Sequence, residues 1–493
     1  MNSSIIRYIL GHIIKLEGFF LLLPCMIAVV YNENVIWNYL LTSCICLLLG
    51  SILTLKKAED NIFYLKEGCV ATVLSWVMLS FFGSLPFMLT GEIPSFTNAM
   101  FETVSGFTTT GASILNDVEA LSHTSLFWRS FTHWIGGMGV LVFLLAIIPL
   151  SGGSNINLMR AESPGPSVGK LVPKMRYTAR ILYVIYLVLS IVLFLILLFT
   201  KMPWFDALCI TLGTAGTGGF SVLNSGCASY TAIQQWIVTI FMLLFAINFN
   251  AYYLIIFGQA KKAFKMEEVR AFLLMVFAAI ALITIDVHNM FASVYEALTH
   301  TAFTVASLVS STGYATTDFD LWPGFSKTIL ITLMVVGACA GSTGGGIKVS
   351  RFVIIGKSIL KELHSYIHPK SVKQITMDEK EVEPSVIRSV SVYMITFLMI
   401  FVISILIIAL EEKDLVTNFT AVLTTLNNIG PGFSLVGPTQ NFGHFTDLSK
   451  WTFIFDMLAG RLELFPLLIM FHPSLWHDMI VKPIRMKIKE THL

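Results

Sequence analysis

A short apolar stretch followed by a Thr/Gly-rich turn occurs four times along this chain. The first copy reads Phe101-Glu102-Thr103-Val104-Ser105-Gly106-Phe107-Thr108-Thr109-Thr110-Gly111-Ala112-Ser113. The second joins Phe205-Asp206-Ala207-Leu208 to Thr217-Gly218-Gly219-Phe220-Ser221, and the third joins Tyr295-Glu296-Ala297-Leu298 to Ser311-Thr312-Gly313-Tyr314. The fourth joins Asn418-Phe419-Thr420-Ala421 to Asn428-Ile429-Gly430-Pro431-Gly432-Phe433. Gly111, Gly219, Gly313 and Gly430 lie roughly 95 to 115 residues apart, the period of a structural unit. The fold must place four copies of one element.

Composition says where those copies reside. Of 493 residues, 55% are hydrophobic and 13% charged, about half the charged share of an average soluble protein, so the chain is a membrane protein. A net charge of +2 with no basic stripe gives no footprint for nucleic acid. Cys25, Cys44, Cys46, Cys69, Cys209 and Cys339 lie in apolar segments and Cys227 in a loop, which is neither a disulfide nor a zinc framework. No His/Asp/Glu grouping has the spacing of a metal site or of a nucleophile with its base, so no enzyme and no organic cofactor are expected.

Crossing a bilayer takes about 20 helical residues. The first such run reaches from about Ile9 to Tyr31, with His12, Lys15 and Glu17 in its first turns, and lacks the small-residue cleavage site of a signal peptide. The second spans about Val35 to Leu55 and ends at Lys56-Lys57. A plan of long helix, short helix, turn and long helix then repeats. The long helices run from about Gly68 to Thr90 and Ser125 to Leu150, Ala179 to Phe199 and Thr231 to Phe257, Ala271 to Ile285 and onward from Phe325, and Val386 to Leu410 and Trp451 to Phe471. The expected fold is an all-α polytopic membrane protein with ten crossings and four re-entrant segments in pseudo-fourfold arrangement. It divides into a two-helix extension (1–60) and repeats at 61–165, 166–262, 263–365 and 366–493.

Lys and Arg favour the cytoplasmic side of short connectors. Lys56, Lys57 and Lys66, then Arg160, Lys170, Lys174 and Arg176, then Lys261, Lys262, Lys265 and Arg270 fall on one side, with the connector from Lys357 to Arg388 and the tail bearing Lys482, Arg485, Lys487 and Lys489. Glu92, Asp117, Glu119, Asp318, Asp320, Glu411 and Glu412 fall on the other. Both termini are therefore expected in the cytoplasm, with every re-entrant segment entering from outside.

Irregular backbone at membrane depth is tolerated where it is buried in protein or lines a watery cavity. Four such turns entering from one side can meet on an axis, where a ring of carbonyls replaces the water shell of a monovalent cation. Glycine allows the backbone angles this needs, and Thr hydroxyls add oxygen ligands. Close helix packing is the alternative use of Gly and Thr, and it is the reading adopted for Gly136-Gly137-Met138-Gly139, with His133 beside it a satisfied buried histidine. Glu102, Asp206 and Glu296, replaced by Asn418 in the fourth copy, open the short helices either as caps or as carboxylates drawing cations to an external vestibule. Gly337 to Gly346 interrupts an apolar helix, and Ile347 stands where a phosphate-binding loop needs Lys. Arg461, deep in the last apolar helix, needs a cavity or a counter-charge, and Glu463 two residues away lies on another face.

These motifs, with Trp134-Ile135-Gly136-Gly137-Met138-Gly139, Ser310-Ser311-Thr312-Gly313-Tyr314-Ala315-Thr316, Gly341-Ser342-Thr343-Gly344-Gly345-Gly346-Ile347-Lys348, Asn427-Asn428-Ile429-Gly430-Pro431-Gly432 and Gly460-Arg461-Leu462-Glu463, resemble the TrkH/TrkG/KtrB superfamily of potassium uptake subunits. The two extra helices and Ser163-Pro164-Gly165-Pro166 favour the TrkH/TrkG branch. The resemblance implies a homodimer in the bacterial plasma (inner) membrane, each subunit with its own potassium pathway, bound to a cytosolic nucleotide-binding regulatory subunit of the TrkA type. It implies a potassium filter of Thr109, Thr110, Gly111, Thr217, Gly218, Gly219, Ser311, Thr312, Gly313, Asn428, Ile429 and Gly430, with Gly218 against Gly219 and Gly430 against Gly432 as alternative registers. It also implies a gate of Gly341, Ser342, Thr343, Gly344, Gly345, Gly346, Lys348 and Arg461, where a static break in the helix and a structural ion pair are the alternatives. Potassium would move down its electrochemical gradient, at about 2.3 kcal/mol per 100 mV for one charge, with looser discrimination against sodium than a longer filter gives. A proton- or sodium-coupled symporter is the competing expectation, with Glu463 and Asp456 as its titratable residues.

Overall fold

The computed structural model describes residues 2–57, 64–139, 175–371 and 373–475, with the backbone alone for 175–179. Arg160, Lys170, Lys174, the Ser163-Pro164-Gly165-Pro166 stretch, the distal half of the Ser125–Leu150 helix and the basic tail lie outside the described residues. The fold is helical. Among the described residues the only strands are Thr376–Met377 and Lys380–Glu381, a small hairpin in the connector before the fourth repeat.

Six described segments are long and apolar enough to cross a membrane: Ser3–Tyr31, Ile36–Thr54, Leu65–Thr90, Arg180–Phe199, Glu267–Met290 and Pro384–Glu411. The first begins at Ser3, ahead of the expected Ile9, because Asn2 caps it by accepting the Ile5 amide at 3.3 Å. Its charged first turns are accommodated by packing on the second span, where the Lys15 ammonium donates to Thr54 Oγ1 at 2.5 Å and Glu17 is buried.

The second long helix of each repeat departs from expectation. His123–Gly137, Ala232–Ala246, Gly324–Val336 and Asp447–Arg461 stop after 15, 15, 13 and 15 residues. At ~1.5 Å per residue the longest reaches ~22 Å, less than the ~30 Å apolar core of a bilayer. The expected continuous helix from Thr231 to Phe257 bends by 91° between Ala246 and Phe249, where Asn248 caps the new segment by accepting the Asn250 amide at 2.9 Å. The expected helix from Trp451 to Phe471 breaks at Glu463 and Leu464, both left-handed at φ 61° and 64°, just before Pro466, which cannot continue a helix interior.

The short helices are Phe96–Phe107, Trp204–Gly216, Val294–Val309 and Leu415–Leu426. The polar residues expected to open them take unequal positions. Asp206 and Glu296 do lie in first turns. Asn418 is the fourth residue of its helix, with Asp414 as the actual cap, and its Nδ2 donates to the Lys413 carbonyl at 3.1 Å. Glu102 lies in the middle of the first short helix, which Ser95 caps.

One carboxylate of the N-terminal extension caps a helix of the first repeat. Glu33, in the turn between the first two spans, accepts the amides of His123 and Thr124 at 2.8 and 3.0 Å and the Thr124 hydroxyl at 2.6 Å. These are free donors at the start of His123–Gly137, where a negative charge is favoured. Burial alone would raise the Glu33 pKa; the hydrogen bonds from Thr124 and His123 outweigh it and hold the carboxyl below its ordinary value. Its contribution is therefore complete above the ordinary carboxyl pKa of 4.5 and is lost as pH falls through the lower folded value. Glu33→Ala is expected to lower stability by about 1 kcal/mol at neutral pH, and thermal unfolding in detergent across pH should show the difference from the parent protein closing below pH 4.5.

Candidate functional site

All four short helices end in the same way. Thr109, Thr217, Ser311 and Asn428 are left-handed, at φ 55°, 54°, 59° and 54°. The next amide reaches back to close the helix: Thr110 to the Ser105 carbonyl at 2.9 Å, and Gly218 to Gly213, Thr312 to Ser307 and Ile429 to Thr424 at 2.8 Å each. This closure normally uses glycine at the left-handed position, and holding it with other residues costs about 1 kcal/mol each. Two residues further on, Gly111, Gly219, Gly313 and Gly430 are again left-handed, at φ 78°, 80°, 84° and 99°. The alternation of hand lets consecutive carbonyls face one side of the chain. The equivalence of Gly219 rather than Gly218, and of Gly430 rather than Gly432, follows from this shared conformation.

The four turns meet in a closed ring. A Cβ on Gly111 would fall 2.0 Å from the Gly218 carbonyl oxygen, on Gly219 1.9 Å from that of Thr312, on Gly313 2.2 Å from that of Ile429, and on Gly430 2.8 Å from that of Thr110. Each glycine therefore abuts the carbonyl of the following turn, and the fourth returns to the first.

Different side chains brace each turn from behind. In the first and third, hydroxyl pairs form between Thr108 and Thr110 at 2.8 Å and between Ser310 and Thr312 at 2.6 Å. The second turn has Gly216 and Gly218 at these positions and is backed by the His133 ring, which lies 2.8 Å from the Gly106 carbonyl through Nδ1 and accepts the Phe220 amide at 3.2 Å through Nε2. In the fourth, Asn428 Nδ2 donates to Thr110 Oγ1 at 3.0 Å and to the Met457 carbonyl at 2.9 Å.

Glu102 faces neither solvent nor a vestibule. It is 1% exposed and pairs at 2.7 Å with the equally buried Arg129, while its carboxylate accepts the Ser113 hydroxyl at 2.9 Å and the Ile114 amide at 3.0 Å. It is therefore a buried, paired carboxylate rather than an exposed one. Arg129 also lies 4.0 Å over the Phe220 ring, so the pair ties the first turn to the second. Of the other three polar residues, Asp206 accepts the Tyr230 hydroxyl at 3.3 Å, Glu296 accepts the Ala292 amide at 3.1 Å, and Asn418 is buried.

The glycine-rich break packs directly against this ring. Its Gly346 amide donates to the Asn427 carbonyl at 2.9 Å, its Gly345 amide donates to the Ser311 hydroxyl, and a Cβ on Gly344 would fall 2.7 Å from the Ser310 carbonyl oxygen. The bend in the second repeat holds its other side: Cys339 donates to Ala246 at 3.1 Å, Thr343 to Phe245 at 3.3 Å, and Phe249 to Gly341 at 2.9 Å. Ser342 closes a local turn onto the Cys339 carbonyl at 2.6 Å. Glu268 accepts the amides of Ala340 at 2.6 Å and Ser350 at 3.1 Å, tying the break to the start of the helix that follows it.

Three basic residues converge there. The buried Lys348 ammonium turns back onto the carbonyls of Gly344 and Gly345. Arg461 donates to the Thr343 carbonyl at 3.0 Å and to the carbonyls of Gly136 and Gly137, the latter at 2.8 Å, linking the break to the end of His123–Gly137. Glu463 pairs with Arg351, whose guanidinium lies 3.7 Å from the Tyr393 ring centroid. Asp456 accepts the Ser404 hydroxyl at 2.7 Å from a neighbouring span. Sequence reasoning missed Arg129, Glu268 and Arg351. The available signal was the one used for Arg461, an ionisable residue within or at the end of an apolar helix. Among the described residues no group of His, Cys, Asp and Glu is placed to hold a metal ion, and all seven cysteines are free.

The family model of TrkH, a cation transport protein, matches residues 36–482. The chain is 33% identical over 486 residues to the Trk system potassium uptake protein TrkH of Salmonella typhimurium, covering 97% of this chain and 100% of that one. It is 31% identical over 488 residues to the Trk system potassium uptake protein TrkG of Escherichia coli, with the same coverage. The crystal structure of the potassium transporter TrkH from Vibrio parahaemolyticus superposes with a TM-score of 0.87 at 30% identity, covering 97% of this chain and 100% of that one. With a family match across most of its length and full-length relatives of this similarity, the chain belongs to the TrkH family of cation transport proteins.

Proposed function

We propose that this chain takes potassium into the bacterial cell across the inner membrane, each ion passing through the ring of four turns. The observation that carries the reading is the cyclic approach of Gly111, Gly219, Gly313 and Gly430 to the carbonyls of Gly218, Thr312, Ile429 and Thr110. Carbonyls gathered in this way replace the water shell of a monovalent cation, and the C-terminal ends of four short helices add partial negative charge beside it. The names of its relatives, potassium uptake proteins of the Trk system, supply the ion. The protein is a transporter rather than an enzyme, with both termini in the cytoplasm.

The glycine-rich break acts as the gate below the filter, with Gly341 to Gly346, Lys348 and Arg461 as its working parts. Arg461 joins the Thr343 carbonyl to those of Gly136 and Gly137, so moving the break requires releasing that guanidinium. A cytosolic nucleotide-binding subunit of the TrkA type drives the release, and two copies of the chain associate as a homodimer. A proton- or sodium-coupled symporter has less support: Glu463 is engaged by Arg351 and Asp456 by Ser404.

Potassium flux into liposomes holding the purified chain, with voltage clamped and sodium as competitor, tests the reading. Flux driven by voltage without a proton or sodium gradient is expected, and an absolute need for either gradient would overturn it. In the same assay Gly313→Ser should lower the potassium-over-sodium flux ratio by about tenfold, because a side chain there meets the Ile429 carbonyl and strains a left-handed residue by ~1–2 kcal/mol. Arg461→Ala should raise flux in the absence of the regulatory subunit several-fold, since about two to three charge-assisted hydrogen bonds to carbonyls are lost. Unchanged flux from a folded variant would remove Arg461 from the gate.

A further inference from the structure

We propose that His133 is a specificity-determining residue of the second turn, acting by holding Phe220 in place through its Nε2 atom. The inference rests on reading the four turns as an ion filter. In the first and third turns a hydroxyl pair braces the carbonyl-bearing residue from behind. The second turn has no side chain at either equivalent position. A Cβ on Gly218 would fall 2.2 Å from both Cγ and Nδ1 of the His133 ring, and one on Gly216 2.2 Å from the His133 carbonyl oxygen. The imidazole, fully buried, occupies the space that a side chain at 218 would fill, and the His133 backbone occupies that of one at 216.

The partners of the ring fix its chemistry. Gly106 offers a carbonyl, so Nδ1 carries the proton and donates across 2.8 Å. Phe220 offers an amide, so Nε2 is bare and accepts across 3.2 Å. One neutral tautomer meets both demands, and a second proton would leave the Phe220 amide facing a donor. Gly106 belongs to the first short helix, while Phe220 directly follows Gly219, so one side chain fastens the first repeat to the second turn.

Phe220 is the point where the second turn is held from several directions. Arg129, one helical turn before His133, lies 4.0 Å over its ring, and the Tyr314 hydroxyl donates to its carbonyl at 3.3 Å. Gly219 lies against the Thr312 carbonyl, so any shift of Phe220 passes into the carbonyl ring. Discrimination between potassium and sodium depends on the spacing and field of those carbonyls.

Three variants of the full chain in voltage-clamped liposomes test this, read as the potassium-over-sodium flux ratio. His133→Leu fills the space without either nitrogen. His133→Asn keeps a donor for Gly106 but does not reach Phe220, and His133→Gln places an acceptor near the Nε2 position. The leucine and asparagine variants are expected to lose about tenfold in the ratio, the factor set by one buried hydrogen bond, and the glutamine variant to stay within about twofold of the parent. A purely structural role would not separate asparagine from glutamine. A parental ratio in folded His133→Leu or His133→Asn would overturn the proposal, as would an equal fall in His133→Gln. Should the leucine variant fail to assemble, the asparagine and glutamine pair decides alone. Gly313→Ser, measured alongside, separates the two claims: if it lowers the ratio and the His133 variants do not, only the His133 proposal falls, whereas a parental ratio in Gly313→Ser removes the filter reading itself.

Discussion

Backbone that leaves the helical path inside a membrane must find partners or face a watery passage, and the structure depends on how four turns meet that constraint. Each short helix closes on itself through a left-handed residue and a backward-reaching amide, at a cost in backbone strain that the surrounding helices over-determine. What remains unclosed is the carbonyl at Thr110, Gly218, Thr312 and Ile429, each against the glycine of the preceding turn. The turns are mutually supporting, so no one of them is expected to hold its shape alone. The first and fourth return helices end against the short helices, Gly136 on the Phe107 carbonyl and Gly460 on that of Leu426, and the glycine-rich break packs onto the same turns.

The ring is fourfold in backbone and not in side chains. Arg129 and His133 join the first turn to the second, and the Tyr314 hydroxyl joins the third to the second. The third and fourth are joined by the Ser434 amide donating to Asp320 at 3.0 Å. The fourth closes on the first through Asn428 to Thr110 and through the Phe442 amide to the Ser113 carbonyl at 2.8 Å. A single chain can specialise its junctions in this way, and the same freedom places the glycine-rich break in the third repeat, held by Glu268, Arg461 and Lys348 from different segments.

Much of this was legible from residue patterns. The four turns were visible because a Thr-, Gly- or Asn-rich stretch after a short apolar segment recurs at a structural period, and the glycine-rich break because a continuous apolar helix would otherwise run through it. The break near Asn248 was not legible, since hydropathy reports the surrounding solvent and is indifferent to whether an apolar run is one helix or two. The break near Glu463 was signalled by Pro466, which an apolar run conceals from hydropathy alone. Glu102 misled for a related reason: aligning the copies by their polar residues overlooks that the turns are the fixed points. Counted back from its glycine, Glu102 falls in the middle of its helix, while Asp206 and Glu296 fall in first turns. Its partner Arg129 lies 27 positions away, a separation no local pattern reports.

The measurement that reaches the central claim most directly is anomalous diffraction from crystals of this protein grown in rubidium, a potassium substitute visible to X-rays. The account predicts density on the axis of the ring, within coordination distance of the carbonyls of Thr110, Gly218, Thr312 and Ile429, that disappears when sodium replaces rubidium. Density absent from the axis while present elsewhere in the membrane region would contradict it, and the ring would then be a packing device rather than the route of the ion.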